Sequence, residues 1–171
     1  MVRRASAFFA CVAVAAIWAM AHAFGIEPKT HASAENGLVV EHAEIILAPS
    51  GAGMMAGYVT VWNGTQQQAD LASVESAAFG SVSLHRTEIV DGVAKMRPIN
   101  EGLRIPGRSE LLMKPGGIHM MVEDPQIDLS PGDAVNLSLS FRDGTTVSAT
   151  ALLRPVGTRP TDHHHGEDDT Q

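Results

Sequence analysis

Short apolar runs, each about five to eight residues long, recur along the chain from residue 37 and are separated by Gly, Pro and Asp. No segment after residue 37 keeps the 3.6-residue period that an amphipathic helix requires. The run 135–141 instead alternates strictly between apolar and polar residues, as a half-buried strand does. This pattern predicts an all-β domain, built as an antiparallel sandwich or barrel.

Two Asp-Gly pairs lie between such runs and predict tight turns. Asp91-Gly92 separates residues 82–90 from residues 93–99, and Asp143-Gly144 separates residues 135–141 from residues 145–153. Asp-Gly between two strand-like runs is among the strongest short signals for a β-hairpin. We therefore expect two hairpins at these positions.

Residues 1–23 have the features of a signal peptide. Arg3 and Arg4 form a positive start, residues 7–20 are apolar, and Ala21-His22-Ala23 offers small residues for cleavage after Ala23 or, alternatively, after Ala21. The apolar stretch is too short for a comfortable membrane span. We expect an exported protein with no membrane span after cleavage.

Charge and cysteine content narrow the function classes. Removing residues 1–23 takes two of the 12 basic residues and none of the 19 acidic ones, which leaves a net charge of −9. That charge argues against nucleic acid or an anionic membrane as the partner.

Cys11 is the only cysteine and lies inside the predicted signal peptide, where Phe8 and Phe9 do not fit a lipoprotein cleavage box. The mature chain then has no disulfide and no thiolate ligand.

The chain is expected to contain one folded domain between two less ordered ends. We predict a leader at residues 24–36, a β-domain at residues 37–156 and a disordered tail at residues 157–171. The tail carries His163, His164 and His165, followed by acidic residues. Imidazoles beside carboxylates suit Cu(II) or Zn²⁺, so the tail is either a second metal site or a solvated segment.

Four residues of the domain are candidate metal ligands. His119 and Met121 are two apart in a predicted strand, so they share one face and Met120 takes the other. A hairpin centred on Asp91-Gly92 places His85 and Met96 near each other, within about one residue of register. A third strand then brings the two pairs together.

Two imidazoles and two thioethers suit one kind of ion. Thioether sulfur is soft and uncharged, which favours Cu(I) over Zn²⁺, Mg²⁺ or Ca²⁺. A redox or blue-copper centre lacks its thiolate in this chain. The competing interpretation is that the methionines pack and the histidines are solvated, as such residues usually are. In that case the protein is a metal-free exported binding or adhesion module.

Residues 57–156 resemble the periplasmic copper chaperone family called PCu(A)C, also written PCuAC. The family's metal motif is a His, ten residues, a Met, about 21 residues and then His-x-Met. His85 and Met96 match with ten residues between them, and His119 and Met121 match the end after a gap of 22. The extra residue falls in the 107–110 loop, away from the ligands. Further landmarks are Tyr58-Val59-Thr60-Val61-Trp62-Asn63, Asp91-Gly92-Val93-Ala94-Lys95-Met96-Arg97-Pro98, Met113-Lys114-Pro115-Gly116-Gly117 and Phe141-Arg142-Asp143-Gly144.

The resemblance carries expectations about fold and function. It implies a cupredoxin-like (immunoglobulin-like) antiparallel β-sandwich that binds Cu(I) in the periplasm through His85, Met96, His119 and Met121. It also implies that the protein is not an enzyme. The copper would be delivered to a respiratory oxidase copper centre, either through a copper-accepting oxidase subunit or through another assembly chaperone. Some family members carry His-rich tails proposed to take up Cu(II).

Overall fold

The computed structural model describes residues 36–49 and 51–161, and this part of the chain forms ten strands and no helix. The predicted all-β architecture is confirmed. The described residues therefore contain no apolar helix of membrane-spanning length. The strands are β1 (Leu38–Ile46), β2 (Met54–Asn63), β3 (Ala69–Glu75), β4 (Phe79–Val90), β5 (Val93–Pro98), β6 (Leu103–Ile105), β7 (Ser109–Leu112), β8 (Ile118–Pro125), β9 (Ala134–Phe141) and β10 (Thr146–Arg154).

The strands form one continuous hydrogen-bonded path that folds over on itself. Their order is β5, β4, β8, β2, β1, β10, β9, β3 and β6, with β7 also paired to β2. β3 contacts β4 although the two strands lie near opposite ends of this order, so the sheet closes into two layers. Every pair is antiparallel except β1 and β10, which run parallel over residues 44–46. The molecule is thus a sandwich that is antiparallel except where its first and last strands meet.

The core lies between the two layers and is filled by alternate residues of the strands. On β9 the buried positions are every second residue, as the alternating sequence predicts. Met113 and Met120 are also buried, with 3% and 0% of their surface exposed, so both pack in the core. Other members of the core are Ile45, Val59, Val61, Leu71, Val122, Val135, Leu137, Leu139, Phe141, Ala151 and Leu153.

The β4–β5 hairpin extends away from this core. Asp91 and Gly92 have φ angles of 54° and 76°, and Val90 pairs with Val93 across them. Positive φ at both central residues is typical of the two-residue turn that suits the twist of a hairpin. The predicted hairpin is confirmed, and all six residues of β5 are exposed. Hydrogen bonds to β4 hold β5 in place, with little packing from side chains.

The described chain continues past residue 156 along the outside of β1. The Thr161 backbone N–H and hydroxyl both donate to the Glu44 carboxylate, over 3.0 and 2.8 Å. The predicted signal peptide, nearly all of the predicted leader, and the tail histidines His163, His164 and His165 lie outside the described residues.

Candidate metal-binding site

Two imidazoles face each other across β4 and β8. His85 on β4 lies directly opposite His119 on β8, so both side chains project from the same face of the sheet. Their ring centroids are 6.1 Å apart, with the ring planes tilted by 34°. The sequence did not show that β8 would pair with β4, and this pairing brings the two histidines together.

Met121 joins the histidines on the same face. It lies two residues after His119 on β8 and opposite Ser83 on β4, and it is partly buried. Met120, between them, points into the core and is fully buried. The predicted division of this strand is confirmed, with Met120 on the core face and His119 and Met121 together on the other face.

Met96 lies on the same face as these side chains, two residues away from the position opposite His85. Its partner across the hairpin is Thr87, whereas Pro98 lies opposite His85. Met96 is therefore a diagonal neighbour of His85, at about 7–8 Å between Cα atoms. It is 52% exposed. The His85, His119 and Met121 side chains form a compact group. Met96 lies on the opposite side of this group from Met121, and the two methionines are about 13 Å apart along the strand direction.

The imidazole of His85 has one nitrogen that is engaged and one that is not. The Ser83 hydroxyl lies 3.1 Å from Nε2. Nδ1 is buried and has no hydrogen-bond partner among the described residues. Burial lowers the pKa of His85, the neighbouring His119 lowers it further, and Glu123 raises it in part. These effects favour the neutral ring. The Nδ1 atom raises a separate question, because a buried nitrogen without a hydrogen-bond partner is rare.

His119 is held in one tautomer by the backbone. Its Nδ1 lies 3.0 Å from the Gly117 carbonyl oxygen, and the residue is only 5% exposed. Because a carbonyl oxygen can only accept, Nδ1 must donate its proton, which leaves the Nε2 lone pair free. Metal-binding histidines are commonly oriented by such a hydrogen bond from their second nitrogen.

The donor set fits a soft ion. In the part of the chain that the structure describes, no three His, Cys, Asp or Glu side chains are grouped so that they could hold a metal. The donors present on this face are imidazoles and thioethers, a combination that suits Cu(I). The Nδ1 of His85 is available to a ligand without the loss of an existing hydrogen bond.

Several residues near this group were not identified from the sequence. Ser83 contacts His85, and the Gly117 carbonyl orients His119. The Ser83 contact follows from the two-residue repeat of a strand, which places residues i and i+2 on one face. Gly117 precedes β8, and its contact is made by a backbone carbonyl, which side-chain alternation does not predict. The sequence left two interpretations open for Met54 and Met55, either a soft contact beside the copper entrance or cover for apolar surface. Met55 is 7% exposed and packs in the core, whereas Met54 is 47% exposed on the face that carries Met121.

The chain has relatives of known sequence and known structure. The family model described as "Putative lipoprotein LpqE-like" matches residues 38–152. "Putative lipoprotein Lxx21020" of Leifsonia xyli subsp. xyli is 32% identical over 118 residues, which cover 69% of this chain and 70% of that protein. The copper-bound PCuAC domain from PmoF2 is 23% identical with a TM-score of 0.57, over 70% of this chain and 94% of that domain. The solution structure of Cu(I)-bound DR1885 from Deinococcus radiodurans is 27% identical with a TM-score of 0.55, over 66% of this chain and 75% of that protein.

These similarities establish fold and family. The likeness to the PmoF2 domain confirms the predicted cupredoxin-like β-sandwich. The family match covers most of the folded part of the chain and agrees with the resemblance seen in residues 57–156. The chain belongs to the LpqE-like family and is a PCuAC family member.

Proposed function

We propose that this protein is an exported copper carrier that binds one Cu(I) ion through His85, Met96, His119 and Met121 and passes it to another protein. The observation that carries the proposal is the pair of imidazoles facing each other across β4 and β8, one of them with a buried, unpartnered Nδ1. The copper-bound PmoF2 domain and Cu(I)-bound DR1885 support copper as the cargo. Carriage, rather than catalysis, is the proposed role.

The hydrogen bonds support one choice of ligand nitrogen in each ring. Because the Gly117 carbonyl occupies Nδ1 of His119, that ring would bind through Nε2. His85 would bind through Nδ1 while its Nε2–H donates to the Ser83 hydroxyl. Neutral imidazoles and thioethers add no charge, so the loaded site carries the single positive charge of Cu(I), which is tolerable in a half-buried position.

Met96 would be the last ligand to bind and the first to leave. A single ion bound by both Met96 and Met121 requires the β4–β5 hairpin to bend toward β8. The six exposed residues of β5 allow that bend at little cost in packing. A ligand on a loosely packed hairpin is easily displaced by a ligand from a partner, which suits a protein that has to release its cargo.

The proposed acceptor and location follow from the family resemblance. We propose that the protein works in the periplasm and supplies a copper-accepting oxidase subunit or another assembly chaperone.

Export would begin with cleavage after Ala23 or Ala21, which removes Cys11. The relative in Leifsonia is described as a lipoprotein, in which a lipid-bearing cysteine would remain. The intact mass of the exported protein separates the two cases, since it shows either an unmodified N-terminus at residue 22 or 24 or a lipidated Cys11.

The test of the proposed site is an anaerobic Cu(I) titration against a chromophoric chelator that competes for the ion. The mature chain should take one Cu(I), and the variant with His85, Met96, His119 and Met121 all changed to Ala should lose that binding. A control with Met113→Leu and Met120→Leu changes two core methionines and should keep it. Equal binding by all three proteins would refute the four-residue site.

The metal-free alternative makes the opposite prediction in cells. If the four residues are incidental to a binding or adhesion module, replacing all four leaves function intact when copper is scarce. If the protein is a copper carrier, the same replacement reproduces the defect of a deletion under copper limitation, and added copper corrects it.

The tail histidines are a second candidate site, for Cu(II). The two hydrogen bonds from Thr161 to Glu44 fix the start of the tail on the outside of β1, and β1 is separated from β8 only by β2. Three imidazoles followed by acidic residues suit Cu(II). A chain ending at Thr161 should then bind one Cu(II) fewer than the full chain and the same amount of Cu(I).

A further inference from the structure

A fifth soft donor lies beside the proposed Cu(I) site. Met54, at the start of β2, faces Glu123 of β8, and Ala56 of β2 faces Met121. Met54 is therefore a diagonal neighbour of Met121 on the same face, at about 7–8 Å. Because Ala56 is small, no bulky side chain of β2 lies directly opposite Met121. Met54 is 47% exposed, whereas the adjacent Met55 is buried in the core.

The soft donors form a diagonal series across four neighbouring strands. In order they are Met96 on β5, His85 on β4, His119 and Met121 on β8, and Met54 on β2. Each donor is a direct or diagonal neighbour of the next, or lies two residues away on the same strand. Met96 and Met54 are the two exposed ends of the series.

Glu123 adds a negative charge at the Met54 end. It lies opposite Met54 and two residues after Met121, so its carboxylate shares their face. One carboxylate oxygen lies 3.2 Å from the Ser81 hydroxyl, which leaves the second oxygen able to meet a cation. The two thioethers are soft donors for Cu(I), whereas the carboxylate is a hard donor that contributes mainly charge attraction. This set therefore holds the ion less tightly than a set that contains two imidazoles.

We propose that Met54, Met121 and Glu123 form a second, weaker Cu(I) site that shares Met121 with the main site. This inference rests on the proposed function, because it takes Cu(I) as the cargo. The ion moves by ligand exchange and stays Cu(I): the bonds to Met96, His85 and His119 break as bonds to Met54 and Glu123 form, while Met121 stays bound. Met54 also lines a groove of about 440 Å³ between β2 and residues 156–160.

The experiment is an NMR titration of the mature chain carrying ¹³C-labelled methionine methyl groups, with Cu(I) added anaerobically to three equivalents. The first equivalent should shift the methyl signals of Met96 and Met121. Further Cu(I) should shift the Met54 signal and move Met121 a second time, because the second ion competes with the first for the Met121 sulfur. The core methyl groups of Met55 and Met113 should stay unchanged throughout.

Two matched variants test the sharing of Met121. Met54→Leu keeps the size of the side chain but removes the sulfur, so it should abolish the second Met121 shift and slow Cu(I) release to a chelator by about tenfold. Its affinity for the first equivalent should equal that of the unaltered chain. Met55→Leu, which changes the neighbouring core residue, should change neither quantity. Glu123→Gln should weaken the second binding step and leave the first in place.

Each outcome of the titration decides one proposal. A Met54 signal that stays fixed to three equivalents while Met121 shifts overturns the second site and leaves the carrier function standing. A Met54 signal that moves together with the first equivalent also overturns it, since Met54 would then belong to the main site. If neither Met96 nor Met121 shifts, the proposed function itself fails.

Discussion

The hairpins β4–β5 and β9–β10 are both closed by an Asp-Gly pair, yet they differ sharply in packing. Along β9, Val135, Leu137, Leu139 and Phe141 are buried and fill the core. All six residues of β5 are exposed, and Ile89 on β4 is 71% exposed. The β9–β10 hairpin stabilises the fold, whereas the β4–β5 hairpin carries Met96 at a position where movement costs little.

The two turns also differ, although their sequences are alike. Asp91 and Gly92 form a two-residue turn with positive φ at both positions. Around Asp143 the loop is one residue longer: the Phe141 backbone N–H donates to the Thr145 carbonyl, and the Asp143 carboxylate accepts from the Thr145 N–H over 2.8 Å. An Asp-Gly pair thus predicts a hairpin but leaves its register open, and register decides where Met96 lies relative to His85.

The largest expected effect separates the two hairpins by stability. Leu139→Ala removes a fully buried side chain of β9 and should lower the free energy of unfolding by about 3 kcal/mol. Ile89→Ala on the exposed hairpin should change it by about 0.5 kcal/mol or less. Denaturant unfolding of the metal-free protein measures both. Similar losses in the two variants would mean that the β4–β5 hairpin packs more than the structure indicates.

The next largest effect separates them by copper affinity. His85→Ala should weaken Cu(I) binding about a hundredfold, which corresponds to about 2.7 kcal/mol. The same change should shift the free energy of unfolding by less than about 1 kcal/mol, because the ring is partly exposed. Leu139→Ala should show the reverse pattern, with a lower free energy of unfolding and an unchanged Cu(I) affinity in the chelator competition. A His85→Ala protein that is unstable but binds copper normally would assign this residue to the core.

A smaller effect compares two neighbouring residues on β8. Met121→Leu should weaken Cu(I) binding about tenfold, since it removes one of the proposed thioethers and keeps the apolar volume. Met120→Leu faces the core and should leave the affinity unchanged. The chelator competition compares the two variants directly. Equal loss of affinity in both would contradict the assignment of ligand face and core face on this strand.

The smallest effect is a pH dependence of the free energy of unfolding that arises from His85 on β4. Burial lowers the pKa of His85 below its usual 6.5, and His119 lowers it further, against an opposing effect of Glu123. As the pH falls, the unfolded chain therefore takes up this proton before the folded chain does. The stabilisation is complete above about pH 6.5 and is lost as the pH falls through the folded-state pKa. His85→Asn should reduce the loss of stability between about pH 7.5 and pH 5, as measured by urea unfolding.

Much of the fold follows from local sequence, and the rest depends on contacts between distant strands. The strands and both hairpins were predicted, because alternation and Asp-Gly pairs act within a few residues. The division of β8 into Met120 and Met121 faces was also predicted. The parallel pairing of β1 with β10 and the double pairing of β8 with β4 and β2 were not, since no local signal specifies which distant strands meet.

The candidate site also combines features that local sequence predicts with features that depend on contacts between distant strands. Residue chemistry and the family motif singled out His85, Met96, His119 and Met121, and the structure places their side chains on one face. The two-residue offset of Met96 follows from a turn centred on Asp91-Gly92. The unpartnered Nδ1 of His85 and the pairing of β2 with β8 that brings Met54 beside Met121 depend on packing between distant strands, so the sequence could not reveal them.

The most direct test of the central claim is X-ray absorption at the copper K-edge of the anaerobically loaded mature chain. The proposed site predicts one Cu(I) with both imidazole nitrogen and thioether sulfur in its first coordination shell. Met121→Leu should lower the sulfur contribution, and Met120→Leu should not. A shell that contains only nitrogen and oxygen, or that keeps its sulfur contribution unchanged in Met121→Leu, would contradict the account.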